Sequence, residues 1–167
     1  MKHFGFWLSA LGCVLVCFLW PARGTDVSEL QPAQLLLIER RDGRVTVACD
    51  SGARGVGNDL DAALGDMART AQGRLYLETV DWVLFTPGAE DLISAAAESG
   101  KLRPAAGVCL VTQTPEKLPD ALAYLNAHPG TDTLARERAA ALGGPAAGTP
   151  ILSVRGERME LLLGVDG

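Results

Sequence analysis

The sequence predicts an α/β fold: a single mixed-sheet domain with helices packed on the sheet, in the order ββαβαβααββ, after an N-terminal apolar leader. Three observations predict it. Short apolar or alternating runs such as Leu35-Leu36-Leu37-Ile38 and Val45-Thr46-Val47-Ala48-Cys49 have strand character. Between such runs lie segments whose apolar residues recur at helical spacing, as Leu60, Leu64, Met67 and Ala71 do. Glycine and proline separate the two kinds of segment, and alternating strands and helices imply a sheet with helices on its faces.

Element by element, Leu35–Ile38 reads as a buried strand. Asp42-Gly43 tolerates the positive φ of a tight turn, so residues 35–49 form a hairpin. Ser51 to Gly57 reads as a flexible glycine-rich loop. Asn58 or Asp59 then caps a helix over about 59–72, stopped at Gly73. Leu75 to Phe85 reads as one extended segment, with Pro87-Gly88 at its end. A second helix covers Ala89 to Ser99 and stops at Gly100. Gly107 to Thr112 is the next strand. Pro115 to Ala127 and Thr131 to Leu142 read as helices, and Thr149 to Val154 with Arg158 to Leu163 as a closing hairpin.

The domain organisation follows from the first residues. Met1-Lys2-His3 is cationic, Phe4 to Trp20 is an uncharged apolar run, and Pro21-Ala22-Arg23-Gly24 breaks it. Residues 1–24 therefore read as a signal peptide cleaved after Gly24, or as a retained membrane anchor. Either places the remainder on the extracytoplasmic side. Residues 25–33 read as a spacer and 34–167 as the mixed α/β domain. Without the leader the chain keeps 13 basic against 20 acidic residues, a formal charge of −7. That balance speaks against nucleic acid as a partner, because phosphate contacts need clustered Lys and Arg.

Four cysteines fall into two pairs. Ala10-Leu11-Gly12-Cys13 resembles a lipobox, making Cys13 a possible lipidation site, although the apolar run continues beyond it. Cys49 and Cys109 could form a disulfide in an oxidising compartment, or be small buried hydrophobes in core strands. Neither has a CxxC partner that would point to zinc or redox chemistry.

Catalytic motifs are not evident. Gly52-Ala53-Arg54-Gly55-Val56-Gly57 sits between a strand and a helix, as phosphate loops do. Its spacing is neither GxGxxG nor GxxxxGK[ST], and Asp59 and Asp61 bring negative charge to the same place. His128 is the one histidine beyond the leader and reads as the end of a helix, where it complements the dipole. No GxSxG elbow surrounds a serine, and Glu78 and Asp81, in one regular strand, face opposite sides. Arg136-Glu137-Arg138 reads as a solvated helix face. The expectation is a non-enzymatic protein without cofactor or metal.

The linear order resembles one family, the spore germination C-subunit lipoproteins (the Ger(x)C family). The resemblance lies in Asp26-Val27-Ser28-Glu29-Leu30 after the leader, in Arg41-Asp42-Gly43-Arg44 followed by Val45-Thr46-Val47, and in Gly73-Arg74-Leu75-Tyr76 running on to Phe85. It continues through Gly107 to Thr112, Gly148 to Val154 and Arg158 to Leu161. The similarity is to the N-terminal domain only; family members are longer and carry a clean lipobox. It implies an exported protein at the cell or inner spore membrane that contacts integral-membrane receptor subunits. The residues leave open an extracytoplasmic small-ligand-binding module, with Gly52, Arg54, Gly55, Gly57 and Asn58 on one loop and Thr86, Gly88 and Glu90 on another, both between strand and helix. A hydrolase using a serine or His128 is the third reading.

Overall fold

The computed structural model describes residues 30–130, 132–145, 147–156 and 158–162. The leader with Cys13, and the spacer up to residue 29, lie outside the described residues. The α/β class is as the sequence predicts. Strands β2 (Leu35–Arg41), β3 (Arg44–Cys49), β4 (Arg54–Gly57), β6 (Trp82–Phe85), β7 (Gly107–Val111), β8 (Ile151–Arg155) and β9 (Arg158–Leu162) make one seven-stranded sheet, ordered β4-β3-β2-β6-β7-β8-β9. The strands β2, β6, β7 and β8 run parallel, while antiparallel hairpins close both flanks. Helices α1 (Leu60–Thr70), α2 (Leu92–Glu98), α3 (Leu118–Ala127) and α4 (Leu134–Ala141) pack on this sheet.

Side-chain alternation sorts the strands into two cores. Leu36 and Ile38 of β2, Val45 and Val47 of β3, Val83 and Phe85 of β6, and Val108 of β7 point one way. They meet Leu60, Leu64 and Met67 of α1, Leu92 and Ala96 of α2, and Leu134 of α4. Leu35, Leu37, Trp82, Leu84, Cys109, Val111 and Leu152 point the other way, against Ala121, Leu122 and Leu125 of α3. Five consecutive buried residues at the start of β2 are therefore what a strand covered on both faces requires.

Local chemistry sets the boundaries. Asp42 (φ 51°) and Gly43 (φ 74°) are both left-handed, the two-residue turn that matches strand twist. Asp59 is the α1 cap, its carboxylate accepting the Ala62 N–H at 2.7 Å. Gly107 lets the Trp82 ring lie flat on the sheet; a Cβ there would fall 2.4 Å from Trp82 Cζ3. The Trp82 indole N–H donates to Asn126 Oδ1 at 3.1 Å, tying β6 to α3.

Three segments differ from the sequence expectation. Residues 75–85 are not one strand: β5 (Arg74–Tyr76), a 3₁₀ turn (Leu77–Thr79) and β6 follow one another. Thr79 causes the break, its hydroxyl donating to Tyr76 O at 2.8 Å and Ala33 O at 3.0 Å. Glu78 and Asp81 therefore do not share a strand. The spacer also joins the fold, because β1 (Leu30–Pro32) pairs in parallel with β5. Finally, the glycine-rich stretch after Cys49 is not a loop: most of it is the edge strand β4.

Candidate functional site

β4 has the composition of a loop because α1 lies against it. A Cβ on Gly55 would sit 2.2 Å from Ala63 O, and one on Gly57 would sit 2.4 Å from Ala63 N. Only glycine admits a helix backbone that close. The same helix also seals the open side of β4. Asp66 of α1 accepts the Val56 N–H at 2.9 Å, and the Thr70 hydroxyl donates to Arg54 O at 2.8 Å. The Val56 bond, with help from Arg69, holds the Asp66 carboxyl below its ordinary range. Gly55 and Gly57 are structural, and the edge strand is closed to a new partner.

The two loops expected to form a site do not meet. Gly52 lies at the turn after β3, at the end of the sheet where the parallel strands begin, while Thr86, Gly88 and Glu90 follow β6 at the end where they finish. β3 and β2 stand between β4, with Asn58 just beyond it, and β6. Gly52 and Arg54 line a cavity of about 310 Å³ with Gln31, Thr70 and Gln72. The loop after β6 is closed on itself: Glu90 accepts the Gly88 N–H at 2.7 Å, and the buried Thr86 is held to Ile38 O.

The reactive residue types are likewise separated. His128 ends α3 and stacks on Tyr124 with ring centroids 4.4 Å apart, its Nδ1 3.0 Å from Tyr124 O. Cys49 and Cys109 are free and buried in opposite cores, on strands separated by β2 and β6, so the possible disulfide is excluded by the fold. Burial pushes the Cys109 thiol up to about 12, which removes the thiolate needed for chemistry. Glu78 accepts from the Tyr76 hydroxyl, and Asp81 pairs with Arg103 at 2.9 Å. Among the described residues no group of three or more His, Cys, Asp or Glu is placed to hold a metal ion, and no helix is long and apolar enough to cross a membrane.

What the fold leaves available is a face. α3 covers the second core over β2, β6, β7 and β8, but not the outer flank over β3 and β4. Cross-strand register puts Leu37, Glu39 and Arg41 of β2 beside Ala48, Thr46 and Arg44 of β3, with Arg54 and Val56 of β4 beyond. Val45 and Val47 of β3 are buried on the roofed face. Thr46 and Ala48, alternating with them, are only half-buried, and Val56 is 43% exposed. A groove of about 180 Å³ runs along this floor beside Thr114, Pro115 and Leu118 at the start of α3. A second groove, of about 240 Å³, lies across Pro115 and Glu116 toward Val154 and Met159.

The bare flank is basic in an otherwise acidic protein. Arg41 stands directly opposite Arg44, and like charges so placed are unfavourable until something neutralises them. Glu39 serves Arg41 at 3.2 Å and also accepts the Thr114 hydroxyl at 2.5 Å. Arg44 and Arg54 form no ion pair among the described residues. An apolar floor with unpaired guanidinium groups at its rim suits an acidic segment with an apolar stripe. Arg54 was singled out in the sequence as part of a loop, and Arg41 and Arg44 as flanks of a turn; that they share one face was not legible, since only strand pairing assembles them.

The molecule is thus a mixed α/β domain whose candidate site is a surface. No protein-family model, curated protein or solved structure matches the chain.

Proposed function

We propose that this chain is a non-enzymatic protein of the extracytoplasmic membrane face, similar in role to the C subunit of a spore germinant receptor. In this reading it acts by contact with integral-membrane receptor subunits. The observation that carries the contact is the uncovered flank of β3 and β4, where the half-buried Ala48 and the exposed Val56 lie among Arg41, Arg44 and Arg54. The leader composition and the Ger(x)C-like order of strands and turns support the membrane setting. The grooves beside α3, about 180 and 240 Å³, are small for a metabolite site, whereas the cavity of about 310 Å³ at Gly52 and Arg54 keeps an extracytoplasmic small-ligand-binding module as the second reading.

The experiment is genetic and biochemical together. In a spore-forming host carrying the gene, its deletion slows germination. The full-length R41E/R44E/R54E variant accumulates normally but fails to restore germination or to co-purify with the membrane receptor subunits. Spores of the deletion strain that germinate normally with every tested germinant contradict the proposal.

A further inference from the structure

An acid pair lies between α3 and β8, away from the partner face. Asp132 is fully buried, at 0% exposure. Its Oδ1 accepts the Thr133 N–H at 3.0 Å, whereas its Oδ2 has no hydrogen-bond donor among the described residues. An ionised carboxylate left half-solvated in this way is costly. Glu137, in the first turn of α4, brings a second carboxyl to the same spot. The Thr149 hydroxyl donates to Glu137 Oε1 at 2.5 Å, and the Glu137 carboxyl is in hydrogen-bonding contact with Asp132. The sequence reading of Arg136-Glu137-Arg138 as a solvated face is therefore corrected: Arg136 and Arg138 are exposed, and Glu137 turns inward.

Two bare carboxylates repel each other there, and one proton converts the repulsion into a short O–H···O⁻ bond. We propose that Asp132 and Glu137 share a single proton, Glu137 carrying it and donating to Asp132 Oδ2, and that this bond latches α4 and the lead-in to β8 onto the start of β7. The latch spans three segments. Asp132 O accepts the Val108 N–H at 3.2 Å, Leu134 N–H donates to Ala106 O at 3.0 Å, and Thr149 leads directly to Pro150, whose carbonyl accepts the Leu110 N–H at 2.9 Å.

The groups acting on Glu137 are Asp132 from the preceding strap, Thr149 from the lead-in to β8 and Arg136 from its own helix. Glu98, the one carboxylate of the α2 helix that packs against α4, is exposed, and Asp91 at the α2 N-cap is taken by Arg40. Burial is the largest cause raising the Glu137 carboxyl above its ordinary value of 4.5. Asp132 adds to it, while the Thr149 bond and Arg136 oppose. A raised folded-state value means that the native protein holds this proton more tightly than the unfolded chain. The stabilisation is therefore complete below the ordinary value and is lost as pH rises through the raised one.

Thermal unfolding of the full chain and of E137Q, followed from the ordinary carboxyl value to neutral pH, tests this. Gln keeps a donor for Asp132 Oδ2 and an acceptor for Thr149 at every pH. Wild type loses about 3 °C or more of Tm relative to E137Q across that window, and E137Q is the more stable protein at neutral pH. Wild type also retains a protonated-carboxyl C=O infrared band above the ordinary carboxyl range, and D132N loses it. Parallel pH profiles for wild type and E137Q overturn the proposal. So do absence of the band, or stabilisation of wild type but not E137Q by added Ca²⁺ or Mg²⁺.

Discussion

The two faces of the sheet are built from the same strands and finished differently. Toward one face, α1, α2 and α4 roof the sheet from β3 to β7, and α1 even closes the β4 edge with Asp66 and Thr70. Toward the other, α3 alone covers the centre and leaves β3 and β4 bare. On β3 the contrast runs residue by residue: Val45, Val47 and Cys49 are buried, and Thr46 and Ala48 between them are not. On β2, covered twice, the alternation disappears. A strand's burial pattern thus reports how many of its faces are roofed. Here it marks one face as architecture and the flank of the other as available surface.

The sharpest way to break this contrast is to truncate one side chain on each face. Phe85→Ala, on the roofed face, costs about 3–5 kcal/mol, while Val56→Ala, on the bare flank, stays within about 0.5 kcal/mol. Urea denaturation of both variants reads the difference, and similar losses would erase the distinction between faces. Gly55→Ala comes next. Its Cβ meets the α1 backbone, which has little freedom to retreat, so the loss is about 1–3 kcal/mol or more. An unchanged urea midpoint would mean that α1 does not press on β4. Asp59→Ala removes the α1 cap at about 1 kcal/mol, visible as a lower Tm. The smallest effect is expected from R44E/R54E. Its stability stays within about 0.5 kcal/mol of wild type, because the pair is solvent-exposed, while partner binding is lost.

Much of the roofed architecture was legible in the sequence, because it rests on local signals. Asp42-Gly43 announced its turn, Asp59 its cap, Gly100 its helix stop, and the spacing of Leu60, Leu64 and Met67 the inner side of α1. Three features were illegible because their causes are distant in the chain. Gly55 and Gly57 signalled flexibility until a helix backbone was set against them. Thr79 looked like a strand residue until its hydroxyl found Ala33 O. Glu137, between two arginines, looked solvated until Thr149 and Asp132 were brought to it. The bare flank is of the same kind: Arg41, Arg44 and Arg54 become one surface only through strand register, and its exposure depends on where α3 stops. A faint signal did exist, since Val-Thr-Val-Ala-Cys alternates as a strand with one open face does.

The availability of that flank is best tested where the protein works. A photo-crosslinking residue is placed at Thr46, on the bare flank, and separately at Asp61, on the exposed side of α1, in the full-length chain expressed in the spore-forming host of the proposal. The account predicts that Thr46 captures an integral-membrane protein and that Asp61 does not. Capture from Asp61 with none from Thr46 would contradict it.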